Sequence, residues 1–245
     1  MTVTTPGAFH DHNDVQRRYF SSTFKKTMVP GETPYLMRQV REVIRHAGVQ
    51  PGDRVLDVGC GMGRYTLLLA GLGLRVEGLD LAPVLLERLQ NYNAGRYEIP
   101  LHAGDLLEHA DRLANRFDAV VGFFALHHFH ALDESFQAMA RIVRPGGRIV
   151  FLEPNPYNPA YYVQVLITPR ITWEGERGLL QMRRSPMFSA MTKAGLRSPE
   201  VVRFGLFPPA LANRAWARPV EAVGEAALSW TPCLAFQIFS GTRPA

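Results

Sequence analysis

The sequence has few cysteines and no long apolar run. Only two cysteines, Cys60 and Cys233, occur among 245 residues, far apart and without CxxC or Cys/His spacing, which excludes a disulfide framework and a cysteine zinc site. No apolar stretch approaches the roughly 20 residues that a membrane-spanning helix needs. The first residues lack the charged and apolar parts of a signal segment. We therefore expect no membrane insertion and a cytoplasmic location.

Long basic runs are also absent. The formal net charge of +5 comes from residues spread along the chain, and basic pairs such as Arg17-Arg18 and Arg183-Arg184 are shorter than the tails that bind nucleic acid. The charge is compatible with an anionic partner or with an ordinary solvated surface. With 47% hydrophobic and 20% charged residues, a chain of this length suits one α/β domain with a sizeable core.

A glycine-rich stretch runs from Arg54 to Thr66, RVLDVGCGMGRYT. Its apolar part at 55–58 is typical of a strand that is buried on both faces, and the glycines that follow break the strand at once. Alternate glycines allow positive φ values and a close approach of a ligand, and the next helix points unpaired N–H groups at that ligand. The stretch predicts a strand, a ligand-binding turn and a helix, with Asp57 placed to accept hydrogen bonds.

The spacing of these glycines distinguishes between cofactors. A dinucleotide-binding turn has the spacing G-x-G-x-x-G, whereas Arg64 stands where the third glycine would be and Gly63 comes one residue early. This spacing disfavours an NAD-dependent oxidoreductase. The D-x-G-x-G-x-G sequence from Asp57 to Gly63 resembles the first motif of class I S-adenosylmethionine-dependent methyltransferases. Further motifs of that family follow in order, up to about residue 155.

The resemblance implies a fold and a cofactor, S-adenosyl-L-methionine. The expected α/β fold is Rossmann-like: a seven-stranded, mostly parallel sheet with helices on both faces and the last strand antiparallel. We expect a single domain over 1–245. Its parts are an N-terminal arm or helical lid at 1–33, a cofactor-binding core at 34–155, a substrate-side insertion after the fifth strand at 156–185, and the rest of the sheet at 186–245.

Candidate cofactor-binding residues follow from the resemblance. Asp80, at the end of the second predicted strand, matches the acidic group that holds both ribose hydroxyls, or it caps the next helix. Asp105 would accept the adenine amine between Leu81 and Leu106, or it caps the helix after it. Tyr19 would cover the cofactor from the lid, or pack the N-terminal segment on the body. The complete set is Tyr19, Asp57, Gly59, Cys60, Gly61, Gly63, Asp80, Leu81, Gly104, Asp105, Leu106 and Phe124.

Two histidines follow the fourth predicted strand, FDAVVGFF at 117–124. An open α/β sheet binds its ligand at the carboxyl ends of such strands, and Leu126-His127-His128-Phe129 resembles the L-H-H segment of small-molecule methyltransferases. A neutral imidazole there could remove the proton that methylation releases. His128 is the candidate catalytic base and His127 the second candidate. Alternatively, His128 only shapes the site, because correct positioning of the acceptor already accelerates transfer.

A proline-rich loop follows the fifth predicted strand and contains Glu153, Asn155 and Tyr157. These three residues are candidates for the acceptor pocket, unless the stiff loop only braces the insertion. Residues 160–184 are aromatic, apolar and basic. They suit a cover over a hydrophobic or aromatic acceptor, and a homodimer contact or a membrane-surface patch is the competing interpretation.

The predicted reaction is methyl transfer to an oxygen or nitrogen of a small, hydrophobic or aromatic molecule. Such a displacement needs no metal, and the sequence shows no metal-ligand cluster. A protein that binds the cofactor but catalyses a different reaction is the first alternative, and an NAD-dependent oxidoreductase is the second. We expect no nucleic-acid acceptor, because the chain reads FFALHH where nucleic-acid methyltransferases carry an N/D-P-P-Y/F-type tetrapeptide.

Overall fold

A computed structural model describes residues 28–162, 177–228 and 233–245. The predicted lid residue Tyr19 lies outside the described residues, as does the 163–176 part of the predicted insertion. The described strands are β1 Arg54–Val58, β2 Arg75–Asp80, β3 Leu101–Ala103, β4 Phe117–Phe123, β5 Val143–Pro154, β6 Arg197–Phe204 and β7 Phe236–Thr242.

The described helices precede, connect and follow these strands. They are α1 Pro34–Ala47, α2 Thr66–Gly71, α3 Pro83–Asn93, α4 Leu106–His109, α5 Leu132–Ile142, α6 Arg184–Lys193, α7 Pro209–Ala212 and α8 Ala217–Ala227. Two 3₁₀ turns, Leu126–His128 and Arg177–Gln181, also lie among the described residues. None of the described helices is both long enough and apolar enough to cross a membrane.

The seven strands form one sheet in the order β3-β2-β1-β4-β5-β7-β6. Strands β1 to β5 are mutually parallel, and β7 runs antiparallel between β5 and β6. The predicted seven-stranded sheet with an antiparallel last strand is therefore confirmed. Because the chain order reverses direction between β1 and β4, the carboxyl ends of these two strands form the crevice in which such sheets bind ligands.

Alternate residues of the central strands pack against helices on opposite faces of the sheet. Leu56, Val120 and Ile149 belong to a core that includes the apolar side chains of α5 and α6. Their neighbours Val55 and Val121 belong to a second core, which includes side chains of α1 and α2. Since the side chains of a strand alternate between faces, the apolar runs in the sequence cover both sides of the sheet, and the prediction of helices on both faces is confirmed.

Helix α1 shows how local signals set the element bounds. The Thr33 hydroxyl accepts a hydrogen bond from the main-chain N–H of Leu36 at 3.3 Å, Pro34 occupies the first turn, and Gly48 ends the helix in the left-handed region at φ 66°. These are the preferred residues at the two ends of a helix. The same signals in the sequence predict a helix from Pro34 to Ala47, and these bounds match the structure.

Several bounds differ from the predicted ones. The sequence predicts one helix from Leu106 to Leu113 and another from Ala210 to Leu228. In the structure the first ends at His109, and the second is split into α7 and α8. Pro219 lies in the first turn of α8, and because proline cannot continue a helix from the preceding turn, the split falls before it. The Pro-Gly-Gly sequence at 145–147 forms a bulge inside β5, since Phe117 pairs with Val143 and Ala119 with Arg148.

Candidate active site

The glycine turn after β1 lies at the centre of the candidate site. Gly59, Gly61 and Gly63 have φ values of 74°, 52° and 84°, a region that favours glycine. A Cβ atom on Gly59 would come within 2.5 Å of the Ala125 Cβ atom, and one on Gly63 would come within 2.6 Å of Leu89, whereas one on Gly61 would meet no atom within 4 Å. The outer glycines are therefore packed, and the surface at Gly61 is open to a ligand.

Asp57 lies beneath this turn and is 1% exposed. One carboxylate oxygen accepts a hydrogen bond from the Thr66 hydroxyl at 2.7 Å. Burial, together with the nearby Asp80 charge, raises the pKa of Asp57 to about 7, although the Thr66 bond acts in the opposite direction. No lysine or arginine among the described residues pairs with Asp57. The site thus holds a buried acid without a cation of its own.

Asp80 ends β2 and connects the neighbouring strand ends. Its Oδ2 atom accepts a hydrogen bond from the Gly61 N–H at 2.8 Å, and its Oδ1 atom accepts one from the Ala82 N–H at 2.9 Å. The Gly104 N–H donates to the Asp80 carbonyl oxygen at 3.0 Å. Burial raises the pKa of the Asp80 carboxyl, and the two main-chain bonds reduce that shift. Each carboxylate oxygen can still accept a second hydrogen bond.

The other predicted cofactor residues occupy different kinds of positions. Asp105 accepts a hydrogen bond from the Leu107 N–H at 2.8 Å and caps α4. Leu106 is 4% exposed and packs in the core, while Leu81 is half-buried. Cys60 packs inside the turn, where burial raises the pKa of its thiol well above the usual range. The capping alternative for Asp105 is therefore what the described contacts show, and a role for these residues in cofactor binding stays a prediction.

The two histidines lie in the 3₁₀ turn after β4, Leu126–His128, which we call the histidine turn. The Nδ1 atom of His127 lies 2.6 Å from Glu153 Oε2, and the main-chain N–H groups of Ala125 and Leu126 donate to Glu153 Oε1 at 3.1 and 2.7 Å. Glu153 is 0% exposed and His127 is 5% exposed. The His127 and His128 ring centroids are 4.0 Å apart, and His128 is half-buried. Of the two histidines, His128 is the more accessible.

The proline-rich loop contains one buried and one exposed candidate. The Asn155 side chain is fully buried, donates to the Leu234 carbonyl oxygen at 2.6 Å and accepts from the Tyr157 N–H at 3.2 Å. Tyr157 is 43% exposed, with the Arg203 guanidinium 5.8 Å from its ring centroid. Asn155 therefore ties the loop to the segment that leads into β7, and a role for Asn155 and Tyr157 in the acceptor pocket stays a prediction.

Sequence patterns did not identify a group of aromatic side chains at the same edge of the sheet. Phe124, one of the predicted cofactor-binding residues, has a φ of 54°. Its ring centroid lies 6.0 Å from that of Tyr65 and 5.6 Å from that of Phe236, and the Tyr35 and Phe236 centroids are 6.1 Å apart. Burial raises the pKa of the Tyr35 phenol to about 12, so this phenol stays neutral to a higher pH than an exposed tyrosine. We call these four residues the aromatic wall. No sequence spacing could have indicated it, because the residues come from four separate elements.

The geometry brings the glycine turn, two buried carboxylates and the histidine turn together at the carboxyl edge of β1, β2 and β4. A family model described as a methyltransferase domain matches residues 55–147. A ubiquinone biosynthesis O-methyltransferase from Aromatoleum aromaticum is 31% identical over 173 residues, covering 67% of this chain and 72% of that protein. The chain belongs to the class I S-adenosylmethionine-dependent methyltransferases. The predicted family and cofactor are confirmed.

Other similar proteins agree on the family and the fold. A ubiquinone biosynthesis O-methyltransferase from Erwinia tasmaniensis is 32% identical over 126 residues. The matched region covers 51% of this chain and 51% of that protein, about half the length of each. A geranyl diphosphate methyltransferase, solved with GPP and sinefungin, superposes with a TM-score of 0.64 at 18% identity, covering 95% of this methyltransferase and 99% of the other chain. At that identity the structural match shows the fold alone.

The residues of this methyltransferase fit the cofactor of the family. The turn has an open surface at Gly61, and the neighbouring acids Asp57 and Asp80 have no arginine or lysine partner among the described residues. A cationic ligand would stabilise their ionised forms. An NAD-dependent oxidoreductase is not supported, because both the glycine spacing and the family point to the other cofactor.

Proposed function

We propose that this methyltransferase methylates a hydroxyl oxygen on a small apolar or aromatic molecule, with His128 as the base. The observation that carries the proposal is the contact between the glycine turn and the histidine turn, where Ala125 packs directly on Gly59. His127 and His128 follow Ala125 by two and three residues, which supports a position for both beside the glycine turn. The name of the relatives, O-methyltransferase, supports oxygen as the acceptor atom over nitrogen.

On the cofactor side, S-adenosyl-L-methionine supplies an electrophilic methyl group on a cationic sulfur. The Asp80 carboxylate would hold the ribose hydroxyls through its remaining lone pairs. Asp57, buried beneath the turn, would stabilise the cationic ligand at longer range. The main chain at Gly59, Gly61 and Gly63 would let the ligand approach closely. Leu81, Gly104, Asp105 and Leu106 would form the adenine end of the site.

On the acceptor side, the aromatic wall of Tyr35, Tyr65, Phe124 and Phe236 would bind an apolar ring. Aromatic pairs in edge-to-face or tilted contact contribute about 0.5–1.5 kcal/mol beyond the burial of their area. The wall adjoins the end of β4, where Phe124 precedes the histidine turn. A hydroxyl group on the bound ring would then lie within reach of His128, which takes its proton as the oxygen becomes methylated.

The test is formation of S-adenosylhomocysteine from S-adenosyl-L-methionine with a panel of phenols, catechols, aliphatic alcohols and anilines. We expect turnover with hydroxylated aromatic compounds and little turnover with anilines of the same size. Turnover confined to anilines would contradict oxygen as the acceptor atom. Tight cofactor binding without S-adenosylhomocysteine from any compound would favour the alternative of a non-methylating enzyme.

The remaining partner predictions stand on the sequence. A small molecule is favoured over nucleic acid because FFALHH replaces the nucleic-acid tetrapeptide and the charge is dispersed. The homodimer and the cytoplasmic location stay predictions, to be measured by light scattering of the purified protein and by fractionation of cells that produce it.

A further inference from the structure

Glu153 is the last charged residue of β5, and among the residues that the structure describes its carboxylate forms hydrogen bonds with one short segment. Its three donors are the main-chain N–H groups of Ala125 and Leu126 and the Nδ1 atom of His127, at 3.1, 2.7 and 2.6 Å. All three lie in or next to the turn that carries His128. With an exposed fraction of 0%, Glu153 does not line an acceptor pocket. It holds the histidine turn through these three hydrogen bonds.

Holding the turn does not by itself require a negative charge. A glutamine of the same length could accept both main-chain N–H bonds through its amide oxygen. It would also avoid the cost of burying a carboxylate, which is several kcal/mol before hydrogen bonds compensate for it. The two side chains differ at His127. A carboxylate requires a proton on Nδ1 of the ring, whereas the amide nitrogen of glutamine would favour the opposite tautomer.

The carboxylate of Glu153 also lies next to the His127 imidazole, which in turn packs against the imidazole of His128. His127 is in direct contact with Glu153, and its ring centroid is 4.0 Å from that of His128, with the ring planes inclined at 44°. A proton that moves to His128 creates a positive charge on the ring that lies beyond His127, as seen from Glu153. A buried carboxylate behind the neighbouring ring stabilises that charge, because the interior screens it weakly.

We propose that Glu153 is a positioning residue for methyl transfer. It acts through His127, whose Nδ1–H tautomer it fixes, and it holds His128 in place to accept the proton of the acceptor hydroxyl. This proposal rests on the proposed function. In the step concerned, the acceptor oxygen bonds to the methyl carbon, the carbon–sulfur bond breaks with its electron pair remaining on sulfur, and the hydroxyl proton passes to His128.

The first measurement does not depend on activity. In ¹⁵N-histidine NMR spectra of the full chain, the proposal expects a protonated Nδ1 on His127, assigned by comparison with His127→Asn. The same signal is expected to shift to the Nε2–H form in Glu153→Gln. A wild-type His127 with an unprotonated Nδ1 would overturn the assigned tautomer.

The second measurement is steady-state turnover with catechol as the probe acceptor. For Glu153→Gln we expect kcat to fall roughly 10- to 100-fold. The catechol KM and the cofactor affinity should stay within about twofold of wild type, because Glu153 contacts neither ligand and a twofold change is smaller than the loss of a contact would cause. The matched control is Glu200→Gln, an exposed glutamate on β6, which should leave all three values unchanged. Wild-type kcat in folded Glu153→Gln would refute the positioning role.

His127→Asn provides a second variant if Glu153→Gln does not fold. The asparagine amide can still donate to Glu153, but the imidazole between Glu153 and His128 is lost. We expect kcat to fall at least about tenfold with unchanged cofactor binding, and an unchanged kcat would contradict a role through His127. Turnover in the wild type with no effect of either variant refutes this inference alone. Absence of wild-type turnover with every compound of the acceptor panel refutes the proposed function, and the NMR result then still decides the tautomer.

Discussion

The Asp80 carboxylate accepts a hydrogen bond from the main-chain N–H of Gly61 at 2.8 Å. The residue proposed to bind the ribose therefore also holds the open part of the glycine turn. The main-chain N–H groups of Gly59 and Cys60 donate to the Leu79 carbonyl oxygen, at 2.8 and 3.2 Å. The end of β2 thus fixes the shape of the turn, and the cofactor would contact a surface that is already formed.

We expect Asp80→Asn to raise the dissociation constant of S-adenosyl-L-methionine about 10- to 100-fold. The amide has one acceptor oxygen in place of two, and a charge-assisted hydrogen bond contributes about 1.5–3 kcal/mol. Isothermal titration calorimetry measures the change. Asp118→Asn is the control, because Asp118 lies at the amino end of β4 and pairs with Arg144 at 2.6 Å. Equal affinities of Asp80→Asn and wild type would contradict the ribose assignment.

His128→Ala should lower kcat about 100-fold, the low end of the range for a lost general base, and should leave cofactor affinity nearly unchanged. His130→Ala, at an exposed position two residues further on, is the matched control and should behave as wild type. Both are measured as S-adenosylhomocysteine formation with the best acceptor of the panel. Wild-type turnover in His128→Ala would contradict the assignment of His128 as the base. The rate acceleration would then come from the positioning of the acceptor.

The affinity for S-adenosyl-L-methionine should rise with pH through about 7. Burial raises the pKa of Asp57 to about 7, so the carboxyl is protonated below that pH and ionised above it, and only the ionised form attracts a cation. We expect a gain of up to about tenfold between pH 6 and 8, with a smaller gain for S-adenosylhomocysteine, which lacks the charged sulfur. Calorimetry across this range tests both ligands.

Two controls accompany the pH series. Asp57→Asn should show a flat profile, and a profile identical to wild type would assign the dependence to another group. In the ligand-free protein the raised pKa acts on stability in the opposite direction. Because the folded state keeps its proton to higher pH than the unfolded state, the contribution of Asp57 to the free energy of unfolding is full below about pH 4 and is lost as pH rises through about 7.

Gly178→Ala should displace the histidine turn. A Cβ atom on Gly178 would overlap the carbonyl oxygen of His127, so the Arg177–Gln181 turn fits against the histidine turn only through glycine. We expect a loss of about 1–3 kcal/mol of stability, measured by urea denaturation, and a lower kcat. Gly31→Ala is the control, since a Cβ atom there would meet no atom within 4 Å. If Gly178→Ala matches this control in both measurements, the contact is unimportant.

Local sequence signals predicted many of the elements. Thr33, Pro34 and Gly48 mark both ends of α1, and the apolar run before Gly59 marks β1. These predictions succeed because caps, glycine turns and buried strands depend on residues within a few positions of one another. The single helix expected at 210–228 was wrong, because a new helix with Pro219 in its first turn starts within that stretch.

The sequence by itself determined the family, the cofactor turn and the carboxyl edge at which Asp57, Asp80 and the two histidines would meet, because each lies at or just after the end of a strand. Only the tertiary structure decided what the buried polar groups do. Glu153 and Asn155 are candidates for the acceptor pocket in the sequence, and the structure shows that their side chains bind the histidine turn and the segment before β7. The physical reason is that hydrogen-bond partners 28 and 79 residues away are brought together by sheet pairing, which no local pattern encodes.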